Sequence, residues 1–242
     1  MFEYRSTYFF QKSLNVCREG YVVISQRNRN TMSMQVKSRR MATTSLDTPT
    51  QLINAAEELF AAQGYSGTSL RSIVRAADAN IAAVNYHFGS KEKLFIATVK
   101  RIAEPLLEAQ FQRLDQVLQE NPTVESVLQA FLAPSLKIIC QHPRGLIQAQ
   151  FMGRCRVEPM IQPLAEKAFS ESHRRFTAAL QQVLPDKSAD ELKWQLDMVI
   201  AVLIRVVCSA NLPGALLQGN STEEIDEVIE KLVRFTSAAM KS

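Results

Sequence analysis

Glycine is scarce in this chain, with eight in 242 residues, and no Gly-rich phosphate-binding loop is present. Nor is there a G-x-S-x-G elbow or an H-E-x-x-H helix, so the common hydrolase and zinc-protease sites are excluded. The three histidines stand in unrelated contexts, and the acids are spread along helix faces. The sequence therefore points away from an enzyme and implies neither cofactor nor metal. The four cysteines (Cys17, Cys140, Cys155, Cys208) show no C-x-x-C or metal-ligand spacing. Scattered thiols without a secretory signal predict a reducing, cytoplasmic setting, with incidental and redox-sensing roles both open. The longest strongly apolar run, Met198–Val207, is broken by Arg205 and is too short for a bilayer, which predicts no membrane partner. No segment alternates with a strand's period of two, and no repeat is visible. The expected fold class is all-α.

Charge is uneven. Of the net +4, residues 1–40 contribute eight Lys and Arg against two Glu, so the remainder is net −2. A generally basic surface is therefore absent, and any polyanion partner must be met by a few placed cations. Residues 1–46 read as a basic extension in one of three forms: translated sequence before a start at Met32, Met34 or Met41, a disordered arm, or a transit peptide.

From Thr48 the pattern becomes helical. Thr48-Pro49-Thr50-Gln51 reads as a capping box with Pro in the first turn, followed by Leu52, Ile53, Ala56, Leu59 and Phe60 at helical spacing and a stop at Gly64. Thr68 or Ser69 caps a second helix whose inner stripe is Leu70, Ile73, Val74 and Ala77. Asp78 falls at a tight turn, where Asp tolerates the left-handed conformation better than most residues. Asn80 caps a third helix with Val84 and Phe88 on one face, Gly89 ends it, and Ser90 opens a long fourth helix. Two short helices across a tight turn, the second almost uncharged and ending Asn85-Tyr86-His87, predict a helix-turn-helix with one face packed and one presented to a DNA groove.

The run Thr68-Ser69-Leu70-Arg71-Ser72-Ile73, then Ala79-Asn80, then Val84-Asn85-Tyr86-His87-Phe88-Gly89-Ser90-Lys91-Glu92-Lys93-Leu94, resembles the N-terminal domain of the TetR family of bacterial transcriptional regulators. The resemblance covers residues 48–95 and departs from the family pattern at Asp78, usually Gly, and Asn85, usually Tyr. It implies a three-helix DNA-binding head over 47–95 and a helical effector-binding and dimerisation body over 96–242. It further implies a ligand-responsive homodimeric repressor on a palindromic double-stranded DNA operator. Base reading falls to Arg71, Ile81, Ala82 and Asn85, with inward packing of Ile81 also open. Thr68, Ser69, Tyr86, His87 and Lys91 match phosphate-holding positions. The Asn-Tyr-His-Phe ending looks like the subgroup that includes fatty-acid-responsive regulators. The competing reading is an all-helical ligand-binding or interaction protein with a non-functional helix-turn-helix.

Beyond Leu94 helical periodicity continues through about six longer elements. The penultimate one, Ala189–Ala210, is apolar around more than one face, and with the last, Thr222–Ala239, it is the expected dimer surface. Arg205 within it requires either an acidic partner or a rim position with its head in water. Phe131, Phe151, Met152, Phe169, His173, Phe176, Trp194 and Arg205 are candidates for lining an effector pocket. Ordinary core packing is the alternative for each. A largely apolar ligand, with a fatty acyl compound foremost, fits that set.

Overall fold

The computed structural model describes residues 47–210, 215–218 and 221–242, which contain helices and no strand. The N-terminal extension expected from sequence, and residues 211–214 and 219–220, lie outside the described residues. Three helices open the fold: α1 (Thr48–Gly67), α2 (Leu70–Ala76) and α3 (Ile81–His87). Six more follow: α4 (Lys91–Gln119), α5 (Val124–Gln141), α6 (Gly145–Val157), α7 (Gln162–Val183), α8 (Ala189–Cys208) and α9 (Thr222–Lys241). Leu46–Ser242 form one compact unit, and α4 runs unbroken through residue 95. Pro105 lies inside α4 and does not end it.

Side-chain caps explain most helix starts. Ser69, Asn80, Ser90, Thr123, Ser188 and Ser221 each accept a bond from a backbone N–H of the first turn. The start of α1 differs from expectation. Asp47, not Thr48, is the N-cap, and no side chain caps it; Gln51 N–H bonds the Asp47 carbonyl instead. α5 begins after Thr123, which forms a reciprocal capping box with Ser126.

Gly64 interrupts α1 with φ 74° and ψ 173°, a region essentially reserved for glycine. A Cβ there would also come within 2.2 Å of Glu158 Oε1. Gly64→Ala is expected to cost about 1–3 kcal/mol in urea denaturation. An unchanged midpoint would show that the kink relaxes freely.

Two apolar clusters organise the fold. One joins Leu52, Phe60, Ile73, Val84, Leu94 and Phe95 of the first four helices to Phe151 and Cys155 of α6. The other packs the far part of α4 against α5, α7, α8 and α9. The head is thus closed by a helix that arrives from the body.

Candidate nucleic-acid interface

The α2–α3 unit is built by local bonds. Ser69 and Ser72 each accept from the other's backbone N–H, at 3.0 and 3.1 Å, which fixes the start of α2. At the turn Asp78 adopts φ 49°, and Ala79 N–H closes onto the Val74 carbonyl at 2.9 Å. Asn80 Oδ1 then caps α3 through Ala83 N–H at 3.1 Å. Val84 is the residue of α3 that is fully buried, and it anchors the helix to the head core.

This anchoring turns Ile81, Ala82, Asn85, Tyr86 and His87 outward. Ile81 is 45% exposed and Tyr86 85%, so Ile81 does not pack inward. Tyr86 rests edge-on against His87, with centroids 4.9 Å apart. Arg71, Arg75 and Ser69 are exposed on and beside α2. The surface therefore offers apolar methyls, one amide, a phenol, an imidazole and two guanidinium groups, with no acid on α2 or α3.

Two of the expected phosphate contacts are used otherwise. Thr68 is 2% exposed, and its hydroxyl donates to the Gly64 carbonyl at 2.7 Å and the Leu59 carbonyl at 3.1 Å. The kink at Gly64 makes that site, so Thr68 is a structural residue of the head. Lys91 donates to the Tyr65 carbonyl at 2.5 Å and lies 4.0 Å over the Tyr65 ring centroid. Burial lowers its pKa, opposed by the nearby Glu158 charge. Lys91 thus ties the start of α4 to the end of α1 and must leave that bond to reach a phosphate.

The candidate pocket residues do not converge. Phe131 and Phe176 meet edge to face at 5.0 Å inside the body. Phe151, Met152 and Phe169 belong to the head cluster, where Phe151 packs on Phe60 and Phe95. Trp194 is 61% exposed and Arg205 is exposed, so Arg205 takes the solvent position and not a buried pair. His173 bonds Asp197 at 3.1 Å, and Arg156 approaches the same oxygen at 3.4 Å. Core packing is thus the outcome for Phe131, Phe151 and Phe176, while Trp194 lies at the surface. Burial pushes the Cys140 thiol up to about 11 and Cys155 to about 12, which disfavours the thiolate a redox sensor needs.

A set of charged residues escaped the sequence reading. Glu57 of α1 is fully buried and paired with Arg101 of α4 and Arg144, the residue before α6. Its signal was available: Glu57 stands four residues after Ile53 and three before Phe60, an acid within the apolar stripe. Inside the body, Gln110 donates to the Phe131 carbonyl and the Ser135 hydroxyl at 3.1 Å, while Ser172 donates to Gln110 Oε1 at 3.1 Å. Among the described residues no group of three or more His, Cys, Asp or Glu could hold a metal ion, and no helix is long and apolar enough to cross a membrane.

Comparison with known proteins agrees with this architecture. Residues 52–98 match the family described as bacterial regulatory proteins, tetR family, and residues 129–239 match the tetracyclin repressor-like C-terminal domain. The HTH-type transcriptional repressor AcnR of Corynebacterium efficiens is 25% identical over 183 residues, covering 74% of this chain and 87% of that protein. A TetR-family regulator from Bordetella parapertussis superposes with a TM-score of 0.58 at 21% identity, covering 78% of this chain and 94% of that one. FadR from Bacillus subtilis, solved in complex with stearoyl-CoA, superposes with a TM-score of 0.56 at 14% identity, covering 78% and 97%. With its head and its body matched separately by the same family, the chain belongs to the TetR family of DNA-binding transcriptional regulators.

Proposed function

We propose that this regulator acts as a homodimeric, ligand-responsive repressor on a palindromic operator, each head placing α3 in a major groove. The observation that carries the reading is the division of α3, where Val84 is buried and Ile81, Ala82, Asn85, Tyr86 and His87 face outward. Ile81 and Ala82 suit thymine methyls, Asn85 suits the N6 and N7 edge of adenine, and Arg71 suits guanine O6 and N7. Ser69, Tyr86, His87 and, once released from Tyr65, Lys91 suit phosphates. Half-sites roughly 34–36 Å apart, or a little more, would then engage both heads. Work on chromosomal DNA implies a cytoplasmic protein.

The dimer is supported by two exposed apolar faces. Trp194, Met198 and Ala201 lie along one stripe of α8, and Phe235 is 63% exposed on α9. Paired across a two-fold axis, such faces form a self-complementary interface. The effector we assign to the body is a largely apolar molecule, with a fatty acyl compound first to be tried. The apolar and aromatic content of the body helices supports it. The ligand shifts the head-to-head geometry only through its differential affinity for the two states.

Sequencing genomic fragments captured by the purified protein tests the reading. An enriched inverted repeat is expected, and fragments with no shared sequence would overturn it. On that repeat, Arg71→Ala is expected to cost about 1–3 kcal/mol per half-site and relax one base position. Lys91→Ala should weaken all sequences alike and flatten the salt dependence. It should also lower the melting temperature, because the Tyr65 carbonyl keeps only the Thr68 N–H, at 3.2 Å, of its two donors. A randomised operator library separates the two variants, and uniform weakening by Arg71→Ala would make it a phosphate contact.

A further inference from the structure

α8 carries a charge within its outward face, and that charge has no partner in its own chain. Leu196, Val199, Leu203 and Val206 turn inward. At about 3.6 residues per turn, Trp194, Met198, Ala201 and Arg205 fall on the opposite stripe, about 60° wide, and all four are exposed. The Arg205 guanidinium bonds no group among the described residues.

Asp197 stands on the flank of the same stripe. His173 of α7 and Arg156 of α6 both reach its Oδ1, at 3.1 and 3.4 Å. They orient the carboxylate from two sides and leave its Oδ2 to accept from elsewhere. The side chain is 39% exposed, so a donor can arrive from outside. That donor is not Arg205 of the same chain, which lies two turns on, about 12 Å along the helix axis.

Ala201 is midway between the two charges, four residues from each. It is the smallest side chain of the stripe, so a second helix can approach most closely there. A two-fold axis through Ala201 lays α8 antiparallel on its own copy. Each Arg205 then arrives level with the partner's Asp197, about 6 Å from the axis, and the pair forms twice. Glu191 is the competing acid, but pairing it with Arg205 would centre the crossing on the bulkier Met198. Lys187 also holds Glu191 already, at 2.7 Å.

Closing such an interface removes water from both charges. A guanidinium left unpaired there opposes association, whereas one that meets a pre-oriented carboxylate favours it and penalises every register lacking the acid. The apolar side chains of the stripe supply area but are indifferent to direction.

We propose that the outward face of α8 receives α8 of a second copy of this chain in antiparallel register centred on Ala201, with Arg205 bonded to the partner's Asp197 on both sides of the axis. The inference rests on the reading of the protein as a homodimer and adds which residues decide its register. It also gives a means of partner choice. A helix with the same apolar stripe but no acid four residues from its centre would leave Arg205 unpaired.

The test uses the full chain and follows dimer dissociation by sedimentation over a dilution series. Arg205→Glu opposes two carboxylates at each end of the crossing, and Asp197→Arg opposes two guanidinium groups. Each should raise the dissociation constant about 100-fold, or about tenfold for each of the two pairs. Mixed in equal amounts, the two variants should return to within about tenfold of wild type. In the mixed dimer the two new charges face each other, and the native Arg205 faces the native Asp197. Ala201→Cys gives a second reading that alters no charge. Residues on a two-fold axis meet their own equivalents, so oxidation should link two copies of this variant through position 201. Met198→Cys should stay unlinked, as should wild type with its native thiols, Cys140, Cys155 and Cys208 among them. Linkage through Met198→Cys without linkage through Ala201→Cys would overturn the register, and so would a mixture as weak as its components. A wild-type dimer with an unweakened Arg205→Glu variant leaves the dimer standing and removes only this pairing. Wild type that sediments as a monomer at every concentration removes the dimer reading and the register together.

Discussion

Replacing Phe235 with Glu is expected to give a folded monomer that no longer holds its operator. Phe235 is 63% exposed on α9, and Trp194 and Met198 on α8 are 61% and 45% exposed. Large apolar groups so placed on adjoining helices need a cover, and a second copy supplies the matching face. A carboxylate there must be desolvated twice, once from each protomer. The dissociation constant should rise by a factor on the order of 1000 or more, corresponding to about 4 kcal/mol. A monomer then binds one half-site and loses the effective concentration of the second. Trp194 is the single tryptophan in the chain, so its fluorescence reads this surface directly. Emission should shift to the red in Phe235→Glu while the helical circular dichroism stays unchanged. Phe235→Leu should keep the dimer. A Phe235→Glu protein that sediments as wild type would remove α9 from the interface.

Phe95→Ala should be the most damaging single truncation in the head. Phe95 is fully buried, with ring centroids 5.5 Å from Phe60, 5.3 Å from Tyr65 and 5.5 Å from Phe151. Edge-to-face contacts add to the apolar burial, and the surrounding helices cannot all close on the space. The cost is expected at about 3–5 kcal/mol, against a total stability of about 5–15 kcal/mol for a typical domain. Urea unfolding followed by circular dichroism measures it, and Phe95→Leu should recover part of the loss. A loss below about 1 kcal/mol would mean that the aromatic quartet does not hold the head together. Because Phe151 comes from α6, the same truncation should also loosen the head from the body.

The difference between what was legible and what was not follows the range of the interactions. Asn80, Ser90 and Asp78 were readable because a cap or a turn is decided within three or four residues by one side chain and its own backbone. Thr68 was misread because its acceptors, the Leu59 and Gly64 carbonyls, are set by a kink that has nothing to do with Thr68 itself. The cap expected at Thr48 failed for a smaller reason. A helix start without a side-chain bond leaves Asp47 in place by backbone geometry alone.

Composition could count the aromatic residues of the body but not pair them. Helical periodicity says that Phe151 faces inward; it does not say that the core it enters belongs to the head, while Phe131 and Phe176 meet elsewhere. Trp194 and Arg205 lie on the outer stripe of α8, where the same apolar pattern serves a surface instead of a pocket. The sequence by itself determined the all-helical class and the helix-turn-helix, since each depends on local spacing, whereas the outward placing of Ile81 waited for the burial of Val84. Only the tertiary structure decided that Glu57 meets Arg101 and Arg144, 44 and 87 residues away, and that α6 therefore grips the head. A buried charge demands a partner, but nothing in a linear chain says from which helix that partner comes.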